Sequence, residues 1–240
     1  MLPKTKWILI LILFDFLLLS LLLIVFFHNN FSSKSNALMT QTTPVDPSLN
    51  FSDSLEEKKI ALTFDDGPHP YYTEQLLDGL KDRGVIVTFF VTGAHSELHP
   101  DVISRMHTEG HMIGNHTFTH LQLTKQNRSE FKQELIATNE VLASITGELP
   151  SYVRPPYGSW DKTLEKELNM IPVLWTVDPL DWCSDNVACI TSNVVTKVKE
   201  NDIILMHDYY ETSVTAALEI VDQMLKEGFV FVTVEEILFE

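Results

Sequence analysis

The sequence predicts an α/β fold, an incomplete (β/α)7 barrel behind an N-terminal transmembrane helix. Three observations carry that reading. Beyond residue 55, short β-branched or aromatic runs alternate with amphipathic helical stretches, the pattern of parallel strands with helices outside. Seven such repeats within about 185 residues fit an unfinished barrel better than an open doubly wound sheet, and no Gly-x-Gly-x-x-Gly or Walker-type loop supports a nucleotide-binding alternative. Ahead of them, residues 7–27 form an apolar run broken only by Asp15 and Ser20.

That run would span about 30 Å as a helix, the hydrocarbon thickness of a bilayer. Lys4 and Lys6 precede it and no basic residue follows until Lys34, so the charge bias keeps the short N-terminus cytoplasmic. Asp15 is costly at mid-membrane, but the surrounding Leu, Ile, Phe and Val offset it. A cleaved signal peptide is the competing reading, with Ser35-Asn36-Ala37 as a weak cleavage site. Its apolar core is usually shorter, so residues 1–28 read as an uncleaved signal anchor. Under either reading the remainder lies outside the cytoplasm, as expected of a single-pass cell-membrane protein. Residues 29–54 are rich in Ser, Asn, Thr and Pro without periodicity, a flexible stalk.

Residues 55–240 are long enough for one sizeable core. Residues 59–64 read as a strand and 73–83 as a helix stopped by Gly84. A strand over 85–91 precedes a helix over 100–109, and a short strand over 112–115 precedes a long helix over 129–145. Ser129 caps that helix and Gly147 stops it. Then come an extended piece at 152–154, a helix at 161–168, a strand at 172–177, a helix at 187–199 and a buried strand at 202–206. A helix over 213–227, a strand over 229–233 and a helix over 234–238 finish the chain. From Leu55 onward 14 Lys and Arg face 30 Asp and Glu, so the net charge of −16 belongs to this region. Nucleic acid and anionic lipid surfaces need basic patches and are excluded as partners. No feature points to a protein partner.

In a parallel barrel the reactive residues sit at the C-terminal ends of strands. Five stretches follow strand candidates there: Thr63-Phe64-Asp65-Asp66-Gly67, His116-Thr117-Phe118-Thr119-His120, Arg154-Pro155-Pro156-Tyr157-Gly158, Asp178-Pro179-Leu180-Asp181-Trp182 and Leu205-Met206-His207-Asp208. Of the adjacent carboxylates Asp65 and Asp66, one can ligate a metal while the other works beside it. His116 and His120, four apart, would share one face of a helical turn and suit a single ion. An Asp/His/His set leaves a fourth position for water, the pattern of catalytic zinc. Arg154 would hold a carboxylate ionised and oriented. Asp181 would orient His207 and raise its pKa, with Trp182 and Leu205 walling a small apolar pocket. In an exported domain Cys183 and Cys189 are expected to pair as a disulfide.

These stretches resemble the polysaccharide deacetylase family, carbohydrate esterase family 4 with its nodulation-type deacetylase domain. The resemblance runs from about residue 58 to 239. It implies a distorted barrel and removal of N- or O-acetyl groups from sugar polymers. It makes Asp65 the general base, Asp66, His116 and His120 the ligands of one divalent metal, and Arg154 the residue orienting the base. The ion is expected to be zinc, with cobalt, nickel or manganese able to serve. The Tyr157 backbone N–H becomes an oxyanion donor, Asp181 the partner of His207, and His207 the general acid. Trp182 and Leu205 match the acetyl-methyl pocket; Asp178 and the cysteines carry no family role. The expected substrate is peptidoglycan N-acetylglucosamine, with chitin-type oligomers or O-acetyl xylan as alternatives. A glycan-binding protein without catalysis is the reading from another class, and it should have lost at least one of these groups.

Overall fold

Seven parallel strands form one curled sheet in the computed structural model, which describes residues 57–239. They are β1 (Lys58–Asp65), β2 (Thr88–Val91), β3 (Met112–Asn115), β4 (Tyr152–Val153), β5 (Ile171–Pro172), β6 (Ile203–His207) and β7 (Phe229–Phe231). The order is β5-β4-β3-β2-β1-β6, with β7 also pairing β1. β1 changes neighbours along its length: Lys58–Ile60 pair with Phe229–Phe231, and Ala61–Asp65 with Ile203–His207. Beyond β5 the chain returns towards β6 through a single bridge, Val177 to Ile204. The curl is therefore finished by one bridge, with Leu205 N–H donating to the Val177 carbonyl and Thr176 and Val177 N–H to the Ile203 carbonyl, and not by a full ladder.

Strand alternation decides which side chains reach the inside. On β1, Ile60, Leu62 and Phe64 join the outer core with Leu76, Leu77 and Leu80, while Ala61, Thr63 and Asp65 take the inner face. On β6, Ile204 and Met206 face outward, leaving Ile203, Leu205 and His207 inside. Gly114 on β3 is required by this packing, because a Cβ there would overlap the Phe90 ring. The helices are α1 (Tyr72–Arg83), α2 (Gly93–Leu98), α3 (Pro100–Thr108), α4 (Arg128–Thr146), α5 (Lys162–Leu168), α6 (Val187–Val195), α7 (Glu211–Lys226) and α8 (Val234–Leu238). α1 buries Leu76, Leu77 and Leu80 at helical spacing and ends at Gly84 with φ 64°.

Several expectations need correcting. The strand at 85–91 forms ladder only over Thr88–Val91, and that at 172–177 shrinks to β5 and the Val177 bridge. α2 had no apolar period to reveal it, since it buries only Gly93 and Ser96. α4 starts one residue earlier, at Arg128, with Asn127 and not Ser129 at its N-cap. α6 stops at Val195, short of residue 199. The signal anchor at 1–28 and the stalk at 29–54 lie outside the described residues. Among the described residues no helix is long and apolar enough to cross a membrane.

Candidate active site

The parallel register brings the reactive groups to one end of the sheet. Asp65 and His207 are direct partners across β1 and β6, so base and acid candidates start on neighbouring strands. His116 follows the last residue of β3 and Arg154 the last of β4.

Arg154 is fully buried, which a lone cation could not sustain. Its Nη1 donates to Asp65 Oδ1 at 2.9 Å and to Thr63 Oγ1 at 2.5 Å, its Nε to the Val173 carbonyl at 3.1 Å and its Nη2 to the Leu174 carbonyl at 3.2 Å. The guanidinium also lies 4.2 Å from the Phe90 ring centroid. Burial pushes its pKa down and Asp65 pulls it back up. The result is an Asp65 carboxylate with one oxygen fixed and the other, Oδ2, facing His116 Nε2 at 3.8 Å.

Asp66 turns back at φ 75°, aiming Oδ1 at His116 Nε2 and His120 Nε2, each 3.3 Å away. His116 Nδ1 lies 2.6 Å from the Arg154 carbonyl oxygen, which can only accept, so Nδ1 carries a proton and Nε2 is the nitrogen turned towards Asp66. Asp66 Oδ1 is buried without a hydrogen-bond donor. Burial raises the Asp66 pKa, yet the imidazoles of His116, His207 and His120 outweigh it and take it to about 2. Burial lowers that of His120, which favours the neutral, ligating imidazole. One Asp66 carboxylate oxygen and two imidazole nitrogens lie within 4.8 Å of one another around an orphaned oxygen, an arrangement that fits a divalent cation.

The two histidines do not share a helical turn, contrary to the i, i+4 expectation. Residues 117–120 form an irregular loop in which Thr117 and His120 are left-handed, at φ 64° and 61°. Side chains from outside the motif hold that loop. Glu134 on α4 accepts from the N–H of Phe118 and Thr119 and from the Thr119 hydroxyl, at 3.1, 2.8 and 2.6 Å. Asn115 Oδ1 accepts from Thr117 N–H at 2.8 Å.

His207 stands on the other side. Asp181 is buried and uses both oxygens on it, Oδ1 at 2.9 Å from Nδ1 and Oδ2 accepting the His207 backbone N–H at 2.9 Å. Burial lowers the His207 pKa, but the hydrogen bond and charge of Asp181, helped by Asp65 and Asp66, raise it to about 9. Asp65, Asp66, His116, His120 and His207 line one cavity of about 410 Å³, with Tyr157, Trp182 and Leu205 among its walls. Tyr157 is left-handed at φ 57°, with its ring edge-on to His120 at 5.0 Å. Arg154 and Asp181 stand behind this surface, in contact with Asp65 and His207.

The expected disulfide is not formed, and Cys183 and Cys189 are both free and exposed. Cys183 closes a 3₁₀ turn and its Sγ donates to the Leu180 carbonyl at 3.4 Å. Cys189 sits in the first turn of α6, where Asn186 Oδ1 accepts its N–H at 3.0 Å. Turn and cap each fix their own cysteine, and neither thiol enters the cavity. Sequence reasoning also missed residues. Trp175 and Tyr210 line the cavity, and Asp208 is wholly buried with its Oδ2 2.5 Å from Thr73 Oγ1. A Cβ at Gly67 would overlap the Asp208 carboxylate. The one signal for Asp208 was a charged residue straight after a buried strand.

Residues 52–173 match the family model described as polysaccharide deacetylase. The chain belongs to the polysaccharide deacetylase family. It is 39% identical over 181 residues to peptidoglycan-N-acetylmuramic acid deacetylase PdaC of Bacillus subtilis, a match covering 75% of this chain and 39% of that protein. With the peptidoglycan-N-acetylglucosamine deacetylase of Bacillus cereus it shares 38% over 193 residues, covering 76% and 69%. A solved structure of peptidoglycan deacetylase PdaC from Bacillus subtilis matches with a TM-score of 0.73 at 39% identity, covering 76% of this chain and 90% of that one. The chain thus spans about two fifths of the length of the curated Bacillus subtilis relative.

Proposed function

We propose that this polysaccharide deacetylase-family chain is a metal-dependent hydrolase that removes N-acetyl groups from a cell-wall polysaccharide, with peptidoglycan N-acetylglucosamine as first substrate. One observation carries the reading. A single cavity holds an Arg154-bound carboxylate, an Asp/His/His set and, opposite, a histidine whose pKa is raised to about 9. Asp66, His116 and His120 would hold one divalent ion, zinc by ligand type, which when bound supplies Lewis acidity and makes water a nucleophile near neutral pH.

The remaining chemistry belongs to side chains. Asp65, oriented by its contact with Arg154, takes the proton that attacking water must lose. The Tyr157 backbone N–H is the donor for charge developing on the carbonyl oxygen. His207, charged through Asp181, gives its Nε2 proton to the departing sugar nitrogen. An amide needs that proton, because an amine anion is a poor leaving group. Trp182 and Leu205 take the acetyl methyl. A non-catalytic glycan binder would have no use for a buried, ionised Asp65–Arg154 pair, which is costly to keep.

The two curated relatives are named for different sugars, N-acetylmuramic acid and N-acetylglucosamine. Acetate release from peptidoglycan, chitooligosaccharides and acetylated xylan by the zinc-loaded full chain tests the reading. Peptidoglycan with a free amine appearing on glucosamine supports it; release from xylan alone would replace it with ester hydrolysis. We further propose that residues 7–27 tether the enzyme to the membrane with its site outside. A product keeping its N-terminal Met in the membrane fraction fits, whereas a mature N-terminus near Leu38 does not.

A further inference from the structure

Beside the cavity lies a second group of rings that no step above uses. We infer that Tyr71, Tyr209 and Tyr210, backed by His69, Tyr72 and His95, form a stacking subsite for a neighbouring sugar of the glycan chain. The inference rests on the deacetylase reading of the cavity and extends it from one sugar to a polymer.

The rings form a continuous chain. Tyr71 meets Tyr72 at 5.4 Å between centroids, Tyr72 stacks on His69 at 4.6 Å, and His69 meets Tyr209 edge-on at 4.9 Å. Tyr209 in turn stacks on His95 at 5.3 Å and meets Tyr210 at 6.0 Å. Aromatic clusters of this size ordinarily close a core, yet Tyr71 is 60% exposed and Tyr210 50%. Tyr210 also lines the catalytic cavity, so the platform continues directly from it.

Hydrogen bonds hold the turn that carries Tyr71 and Tyr72 before any ligand arrives. His69 Nδ1 accepts from the N–H of Tyr71 at 3.2 Å and of Tyr72 at 3.1 Å, and the His69 N–H donates to Thr73 Oγ1 at 2.8 Å. His95 Nδ1 lies 2.9 Å from the Asp66 carbonyl oxygen, which ties the platform to the metal-site loop. Such preorganisation spares the ordering cost that binding otherwise incurs.

The chemistry selects the ligand. A pyranose has an apolar C–H face that stacks on an aromatic ring and a polar hydroxyl rim that hydrogen-bonds around it. Tyrosine, with an apolar body and a polar tip, serves both. The exposed rings are tyrosines in a strongly acidic protein, which favours a neutral N-acetylated chain over a polyanion. Tyr157 and Trp182, 68% and 55% exposed, offer rings in the same cavity. Rings both in the cavity and beyond it suit a sugar inside a chain better than an isolated monosaccharide.

The test is titration calorimetry of the zinc-loaded full chain with di-N-acetylchitobiose and with penta-N-acetylchitopentaose. The wild type should bind the pentamer about tenfold or more tighter than the dimer. Tyr71→Ala should weaken pentamer binding about three- to tenfold, the range for a lost aromatic contact, and shrink the pentamer-to-dimer ratio. Tyr71→Phe should restore that ratio. Tyr209→Ala should act alike; if it unfolds, the exposed Tyr71 alone decides. Equal affinity for dimer and pentamer in the wild type, or an unchanged ratio in Tyr71→Ala, overturns the subsite. Ring-dependent pentamer binding without acetate release would support the subsite while sinking the deacetylase reading.

Discussion

Asp181→Asn should move the basic limb of the pH profile without dismantling the site. Asp181 makes two 2.9 Å contacts with His207, and its hydrogen bond and charge are the main reasons for the raised pKa of about 9. Asparagine keeps the shape and removes the charge, so the imidazole should fall back towards 6.5. At pH 8 a group of pKa 9 is about 90% protonated and one of pKa 6.5 about 3%, a loss of about thirtyfold in the acid form. At pH 5.5 the same change costs only about 10%. Acetate release from penta-N-acetylchitopentaose by the zinc-loaded enzyme, followed as kcat/KM from pH 5 to 10, reads both limits. Stability gives a second reading. A histidine whose folded pKa is raised contributes stability fully present below 6.5 and lost as pH rises through about 9. Wild type should therefore exceed the variant most at low pH, with the gap closing above pH 9. A basic limb that stays put, or a uniform loss at every pH, would refute the assignment of His207 as the proton donor.

Three further outcomes concern His120, Arg154 and Asp208. His120→Ala should lose the bound ion, and metal analysis showing full zinc occupancy would remove His120 from the ligand set. Arg154→Met should destabilise by about 3–5 kcal/mol in urea unfolding, because it strands the buried Asp65 carboxylate; a change below about 1 kcal/mol would contradict the pairing. Asp208 is wholly buried, and burial raises its carboxyl from 3.8 to about 7, so stability is lost as pH climbs through that window. At about 1.4 kcal/mol per pH unit this amounts to about 4 kcal/mol. Asp208→Asn should flatten that decline, and thermal melts at pH 4, 6 and 8 with an unaltered slope would count against it.

The strands and most helices were legible because burial follows period. β1 and β6 are near-continuous apolar runs, as parallel strands buried on both faces must be. α1, α4 and α7 repeat apolar residues at helical spacing. α2 was invisible because it packs through Gly93 and Ser96, which carry no hydrophobic signal. The site was legible as a set of strand ends, since charged residues directly after buried strands had few structural reasons to be there. Geometry within the motifs was not. The spacing of His116 and His120 suggested a helical turn, whereas two left-handed residues and a clamp from Glu134, fourteen residues beyond His120, bring the imidazoles together. Contacts of that range have no local signature. The cysteines erred the other way, because compartment favoured a bond that the turn and the helix cap do not make.

The central claim is that Asp65 and His207 work on opposite sides of an amide. It is tested most directly by comparing Asp65→Asn and His207→Ala on an N-acetylglucosamine oligomer and on an activated aryl acetate. Asp65→Asn should cripple both reactions, since water must lose its proton in each. His207→Ala should reduce amide cleavage by about 10²–10⁴ and spare the aryl ester, whose leaving group needs no proton. Equal losses on the two substrates would contradict the account, returning His207 to a structural role or to the nucleophile's side.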